Sequence, residues 1–296
     1  MDHSIAPHHI LETPAQATGF AIHRPTGRAL PLVLASPHSG RCYPPDFVAT
    51  ARLDQVTLRR SEDSFVDEIF ASAPDLGATL ITANFPRAYC DVNREAWELD
   101  PAMFEDALPP WVNTTSPRVG AGLGTIARVV ANGEAIYGIR LRFAEAQRRV
   151  AECWQPYHDA LAQVINDTRA RFGFCVLIDC HSMPASATQG RRPSPDIVLG
   201  DAHGTACAPA LMRGVERFFT EAGYLVRRND PYAGGYVTRH YGRPGSQVHA
   251  LQIELARSLY MYESTLEKRP GFARLQAQAA ALIGALEGLA VELAAL

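Results

Sequence analysis

Short unbroken apolar runs alternate along this chain with longer stretches in which apolar residues recur every three or four positions. The first run covers residues 30–35 and breaks at Ser36-Pro37-His38-Ser39-Gly40, which reads as a buried strand ending in a tight loop. Residues 61–73 place Phe65, Val66, Ile69 and Phe70 at helical spacing, with Ser61, Glu62 and Asp63 suited to the helix start. Further strands are predicted over 78–83, 174–180, 196–200, 224–228 and 248–254, the last ending on a carboxylate. Residues 84–95 read as a short extended piece or loop. A long amphipathic helix spans 140–171 through Leu141, Val150, Trp154, Tyr157, Leu161, Val164 and Ile165, with Pro156 as a point of interruption. Helices are also predicted over 205–222 and 272–296. Two segments lack periodicity: a Gly-, Pro-, Asn- and Thr-rich excursion over 105–138, and a Gly-rich loop over 229–246. Residues 1–28 read as an irregular arm whose His3, His8 and His9 are solvated.

Strands alternating with helices predict a three-layer α/β/α fold around a mixed, mostly parallel sheet. With no repeat, linker or low-complexity stretch, the reading is an arm over 1–28 and one domain over 29–296.

Composition narrows the function. The 296 residues are 47% hydrophobic and 20% charged, with a formal net charge of -3. That is a globular balance without the basic excess that nucleic-acid binding needs. No apolar run approaches the ~20 residues of a membrane helix, and the polar first residues lack a signal-peptide pattern. The six cysteines are scattered, with no C-x-x-C pair, and are expected to be reduced. A cytoplasmic enzyme acting on a small molecule, with neither nucleic-acid nor membrane partner, is the expectation.

Chemistry concentrates where strands end, which is where ligands bind in open α/β sheets. The first strand leads to His38, the strand over 174–180 to His181 and the strand over 248–254 to Glu254, while Glu62-Asp63 opens a helix. Two imidazoles and one carboxylate make a common zinc set for hydrolases, with a further position left for water. Neutral imidazoles leave such a site net positive, so bound water loses its proton near neutral pH. A second, non-ligating carboxylate must then carry that proton, and Glu254 is the candidate. Each residue taken singly also has an ordinary role: His38 as a loop cap, His181 as a bonded core histidine, Asp63 as a helix cap, Glu254 as an ion-pair partner of Arg257. A second cluster reads anions. Arg87, Asn93 and Arg94 fall in one loop, and Tyr236, Arg239, His240 and Arg243 in another, where Gly234-Gly235 permits close backbone approach. Cys180 and His181 point to opposite faces of a strand, which argues against a thiol nucleophile.

The blocks S-P-H-S-G (36–40), E-D-S-F-V-D-E-I-F (62–70), Y-C-D-V-N-R (89–94), W-Q-P-Y-H (154–158), D-C-H-S (179–182), G-G-Y-V-T-R-H-Y-G (234–242) and I-E-L-A-R (253–257) resemble the N-formylglutamate amidohydrolase family, in the family's order. That family is similar in fold to the zinc carboxypeptidases and aspartoacylases. The resemblance implies hydrolysis of a small N-acyl amino acid, with one zinc ion per chain on His38, Asp63 and His181, Glu254 as general base, and Asn93-Arg94 on the substrate α-carboxylate. Arg87, Arg239, Arg243 and Tyr236 complete the expected substrate contacts. Two departures stand out. The carboxypeptidase pattern H-x-x-E would put a carboxylate at position 41, which here is Arg41, so the third ligand falls to Asp63 or Glu62. Residues 113–142 differ from the block typical of histidine-degrading deformylases. A carboxypeptidase-like peptidase and a metal-free carboxylate-binding protein are the alternative readings.

Overall fold

The computed structural model describes residues 19–190 and 193–293. His3, His8 and His9 lie outside the described residues. Seven strands form one sheet in the order β1-β3-β2-β4-β7-β5-β6: β1 (Phe20–His23), β2 (Leu32–Ser36), β3 (Thr79–Ala83), β4 (Cys175–Met183), β5 (Ile197–Gly200), β6 (Val226–Arg228) and β7 (Val248–Ala256). The pairs β2·β3, β2·β4, β4·β7 and β5·β6 are parallel, while β1·β3 and β5·β7 are antiparallel. The sheet is mixed and mostly parallel, as the alternation of elements predicts.

Period-two alternation sorts the central strands between two cores. On β4, Val176, Ile178 and Cys180 face a core shared with helices Val66–Ile69 (α3), Pro209–Glu221 (α7) and Gly271–Leu293 (α9). Cys175 and Leu177 face the opposite core, filled by Phe47 of Pro45–Thr50 (α1), Leu58 of Gln55–Arg59 (α2) and Tyr157, Leu161, Val164 and Ile165 of Gln155–Phe172 (α6). Helices thus cover both faces, giving the three layers.

Four expectations need correction. Phe20–His23, within the segment expected to be an irregular arm, is an edge strand; its order comes from hydrogen bonding to β3 rather than from its own short pattern. The helix expected over 61–73 shrinks to the four residues of α3, because Phe65 adopts a left-handed conformation (φ 68°) and keeps residues 62–64 out of it. The Gly-rich loop over 229–246 contains a short helix, Tyr236–Tyr241 (α8). The helix over 140–171 is not interrupted at Pro156. Phe143–Arg149 (α5) passes through a π-helical turn, Val150–Trp154, into α6, and Pro156 follows directly on that turn.

The excursion over 105–138 carries one four-residue helix, Pro117–Gly120 (α4), and packs on its own small cluster of Leu99, Met103, Phe104, Val112, Ile126, Leu141 and Ala146. Five of its residues, Arg118, Leu123, Ala127, Val129 and Ala131, line the same cavity as His38, His181 and Glu254.

Candidate active site

The alternation that makes two apolar cores also makes the site. On the face that holds Cys175 and Leu177, β4 continues as Asp179 and His181, and its neighbour β7 continues after Ala250 as Gln252 and Glu254. Toward their carboxyl ends the same face of the same strands turns from apolar to ionisable. His38 follows two residues after the end of β2, and Asp63 is tied to it by its own N–H, which donates to the His38 carbonyl at 2.9 Å.

His38, Asp63 and His181 are buried, and their metal-binding atoms lie within 4.8 Å of one another. Each imidazole uses one nitrogen outward and turns the other inward. His38 Nε2 donates to Asp91 Oδ1 at 2.7 Å, which leaves Nδ1 buried without a hydrogen-bond partner, 3.4 Å from Asp63 Oδ2. His181 Nε2 donates to Asp179 Oδ1 at 2.8 Å, and its Nδ1 sits 2.9 Å from the same Asp63 oxygen. Thr238 Oγ1 donates to Asp179 Oδ2 at 3.0 Å and so orients the orienting carboxylate. A carboxylate behind each ligating histidine is the usual way to fix its tautomer. Two inward lone pairs, one shared carboxylate oxygen and an orphaned buried nitrogen fit a divalent cation of the zinc type.

Asp63 and His181 answer each other's charge. Although burial opposes it, the Asp179 and Asp63 carboxylates hold the His181 imidazole well above its ordinary value. Asp63, against the cost of burial, is held well below the usual carboxylate range by the hydrogen bond from His181 and by the His38 imidazole beside it. A cation displaces the shared protons because it answers the same negative charge.

Asp63, not Glu62, faces the histidines. Glu62 is taken up in a separate network, accepting from Tyr43 Oη at 2.7 Å, Arg59 Nε at 3.0 Å and Ser64 Oγ at 2.9 Å. The other Asp63 oxygen, Oδ1, accepts from Ser182 Oγ at 3.2 Å and Arg257 Nη2 at 3.3 Å. Arg257 therefore braces Asp63, and its expected pairing with Glu254 is not the one formed. Arg41 lies in ion pairs with Asp67 and Glu68.

Glu254 is the register partner of His181 across β4·β7. Gln252 Nε2 donates to its Oε1 at 2.8 Å. Burial raises its carboxyl to about 7, with Asp63 adding to the rise and His181 opposing it. A carboxyl poised near neutrality is suited to take and return one proton.

A cavity of about 640 Å³ opens over these groups. Residues 30–261 match the family described as N-formylglutamate amidohydrolase. The chain belongs to that family. It is 30% identical over 241 residues to the N-formylglutamate deformylase of Pseudomonas putida, spanning 79% of this chain and 83% of the relative. It is 31% identical over 240 residues to the enzyme of the same name from Pseudomonas aeruginosa, with the same shares. A crystal structure of N-formylglutamate amidohydrolase from Ralstonia eutropha JMP134 superposes with a TM-score of 0.87 at 40% identity, covering 92% of this chain and 98% of that one.

In this amidohydrolase-family chain the expected anion readers divide into two groups. Arg87, Asn93, Arg94 and Arg239 line the cavity. Arg87 donates to Asp91 Oδ2 at 2.7 Å, while Arg94 is held by the Leu123 and Asn93 carbonyls at 2.7 and 2.8 Å. Burial lowers Arg94 to about 10, and the Arg87 and Arg118 guanidinium groups push the same way against the pull of Asp91. Asn93 Nδ2 lies 3.0 Å from His181 Nε2, and its Oδ1 accepts the Val237 N–H at 2.8 Å. Gly235 makes this packing possible, since a Cβ there would come within 2.2 Å of the Asn93 amide. Arg243 and Tyr236 are not among the lining residues. Arg243 donates to the Gly242 carbonyl and closes the end of α8, and Tyr236 packs on Trp154, His158 and His240.

Sequence reasoning missed Asp91 and Asp179, which support the two histidines, and the bracing of Asp63 by Arg257. Asp91 and Asp179 stand beside residues already singled out, in D-V-N-R and D-C-H-S. The signal that finds them is the need of every ligating histidine for an acceptor behind it. Cys180 points into the opposite core, and burial raises its thiol well above the ordinary value, so it is no nucleophile. No described helix is long and apolar enough to cross a membrane.

Proposed function

We propose that this chain hydrolyses the formyl amide of N-formyl-L-glutamate to glutamate and formate, using one zinc ion held by His38, Asp63 and His181. The observation that carries this reading is the convergence of two inward imidazole nitrogens on one Asp63 oxygen, with Glu254 on the adjacent strand. The names of the two Pseudomonas relatives and of the Ralstonia crystal structure supply the substrate class.

Bound at that set, zinc supplies a lowered pKa for water and an electrophile for the formyl carbonyl. The rest falls to the chain. Glu254 takes one proton from the attacking water as its oxygen adds to the formyl carbon. It then hands that proton to the amide nitrogen as the carbon–nitrogen bond breaks, so that formate and the free amine separate. Arg94 and Asn93, with Arg87 beside them, hold the α-carboxylate by charge-assisted hydrogen bonds and keep the formyl group at the reacting centre. Arg243 and Tyr236 have no part in this reading. The six cysteines form no disulfide with one another, and five of them are buried, which fits a reducing compartment such as the cytoplasm.

The test is a panel of N-formyl, N-acetyl and N-formimino amino acids, followed by released amine with and without a chelator. N-formylglutamate is expected to be cleaved fastest, with activity lost on chelation and restored by zinc. Undiminished cleavage in chelator overturns the metal assignment, and failure to cleave N-formylglutamate overturns the substrate.

A further inference from the structure

The cavity is not uniform. Its floor holds the ionisable set, whereas the wall supplied by the excursion over 105–138 presents Leu123, Ala127, Val129 and Ala131, with one cation among them, Arg118. This wall is fastened to the floor at three points. Arg94 Nε donates to the Leu123 carbonyl at 2.7 Å, the Asp91 N–H donates to the Thr125 carbonyl at 2.8 Å, and the Thr125 N–H donates to the Glu98 carbonyl at 2.9 Å. Gly124 allows the last of these, because a Cβ there would stand 2.2 Å from the Glu98 carbonyl oxygen. The excursion is therefore a seated part of the site, and Arg118 has a defined place in it.

Arg118 is incompletely answered. Its Nη1 lies 3.7 Å from Glu98 Oε1, beyond hydrogen-bonding reach, and Glu98 Oε2 is buried with no hydrogen-bond partner. Arg118 is half-buried, and it sits close enough to Arg94 to lower that residue's affinity for its proton. Arg87, Arg94 and Arg118 thus bring three positive charges to one side of the cavity. Asp91 is already shared between Arg87 and His38. Glu98 meets Arg118 only at ion-pair distance, so the guanidinium keeps N–H donors for an anionic ligand in the cavity.

We propose that Arg118 reads the side-chain carboxylate of the substrate, and that the apolar wall around it holds the intervening methylenes. The inference rests on the proposed hydrolysis of an acidic N-acyl amino acid and adds the element that selects the side chain. Arg87 and Arg94, bound to Asp91 and to the loop that carries Asn93, stand nearer the ligand set and take the α-carboxylate. Arg118, on the outer wall, takes the second. An aliphatic chain ending in a carboxylate matches an apolar surface interrupted by one guanidinium.

The experiment compares wild type, Arg118→Met, Arg118→Lys and Arg239→Met, each as zinc-loaded enzyme, on N-formylglutamate and N-formylglutamine. Binding of the products L-glutamate and L-glutamine is measured by calorimetry in parallel. Arg118→Met is expected to raise KM for N-formylglutamate about 10- to 100-fold, the scale of a lost charged hydrogen bond, with kcat nearly unchanged and the glutamine substrate little affected. Arg118→Lys is expected to recover part of the preference, and Arg239→Met to retain it. Equal losses on both substrates, or an unchanged preference in Arg118→Met, overturn the proposal, as does loss of the preference in Arg239→Met alone. If wild type fails to turn over N-formylglutamate, the proposed reaction falls. The glutamate-to-glutamine binding ratio then still decides whether Arg118 reads the acidic side chain.

Discussion

Glu254 stands directly beside His181 in the β4·β7 register, so a carboxyl raised to about 7 and an imidazole turned toward Asp63 share one face of adjacent strands. Their separation is set by the sheet, not by a loop, and sheets hold such spacings well. In the proposed reaction the pair divides the work, with His181 among the cation ligands and Glu254 left free to move a proton.

Glu254→Gln keeps the shape and the hydrogen bond with Gln252 in some form but removes the exchangeable proton. Turnover is expected to fall by about 10²- to 10⁴-fold, while elemental analysis still finds about one zinc per chain. Near-wild-type turnover in this variant rejects the base.

Asp91→Asn replaces the carboxylate behind His38 by an amide that can present its N–H₂ to the ring. The tautomer that turns Nδ1 inward loses its support, and metal affinity is expected to drop about 10- to 100-fold. Competition with a chromogenic chelator measures this directly. An unchanged affinity places the histidine's orientation under some other control.

His158 supplies a pH dependence remote from the ligand set. Its Nε2 donates to the Val92 carbonyl at 2.8 Å, and Tyr241 Oη donates to its Nδ1 at 2.9 Å, so the folded chain holds the ring neutral behind the Asn93-Arg94 loop. Burial lowers it to about 4. The folded value is depressed below the ordinary 6.5, so the unfolded chain binds more protons between those limits and stability falls as pH drops from 6.5 to 4. Shifts of this size are worth about 3 kcal/mol across the window. Denaturant titrations should show His158→Gln less stable than wild type at neutral pH, and the gap should narrow on acidification. A constant gap contradicts the buried neutral ring.

Gly235→Ala puts a methyl group into the Asn93 amide, which would lie 2.2 Å away. Because Asn93 Oδ1 holds the start of α8 through the Val237 N–H, the clash displaces both loops that bear the anion readers. The expected result is a KM raised at least ~10-fold, from loss of about one charged hydrogen bond, together with a lower melting temperature. Wild-type kinetics in this variant mean that Asn93 can yield without consequence.

By itself the sequence determined the order of strands and helices and the layered α/β arrangement, because apolar runs and helical periodicity record which surfaces must leave water. It also marked His38, His181 and Glu254, since residues at strand ends stand where a parallel sheet exposes side chains to a ligand. The tertiary structure decided the rest. It selected Asp63 over Glu62 by committing Glu62 to Tyr43, Arg59 and Ser64, drew Phe20–His23 into the sheet, turned one nitrogen of each histidine inward, and set Arg118 rather than Arg243 at the cavity wall. These outcomes depend on partners 53 residues apart for His38 and Asp91, and 118 apart for His181 and Asp63. Local pattern carries no information over such separations; it is the packing of the sheet that brings the groups within hydrogen-bonding distance.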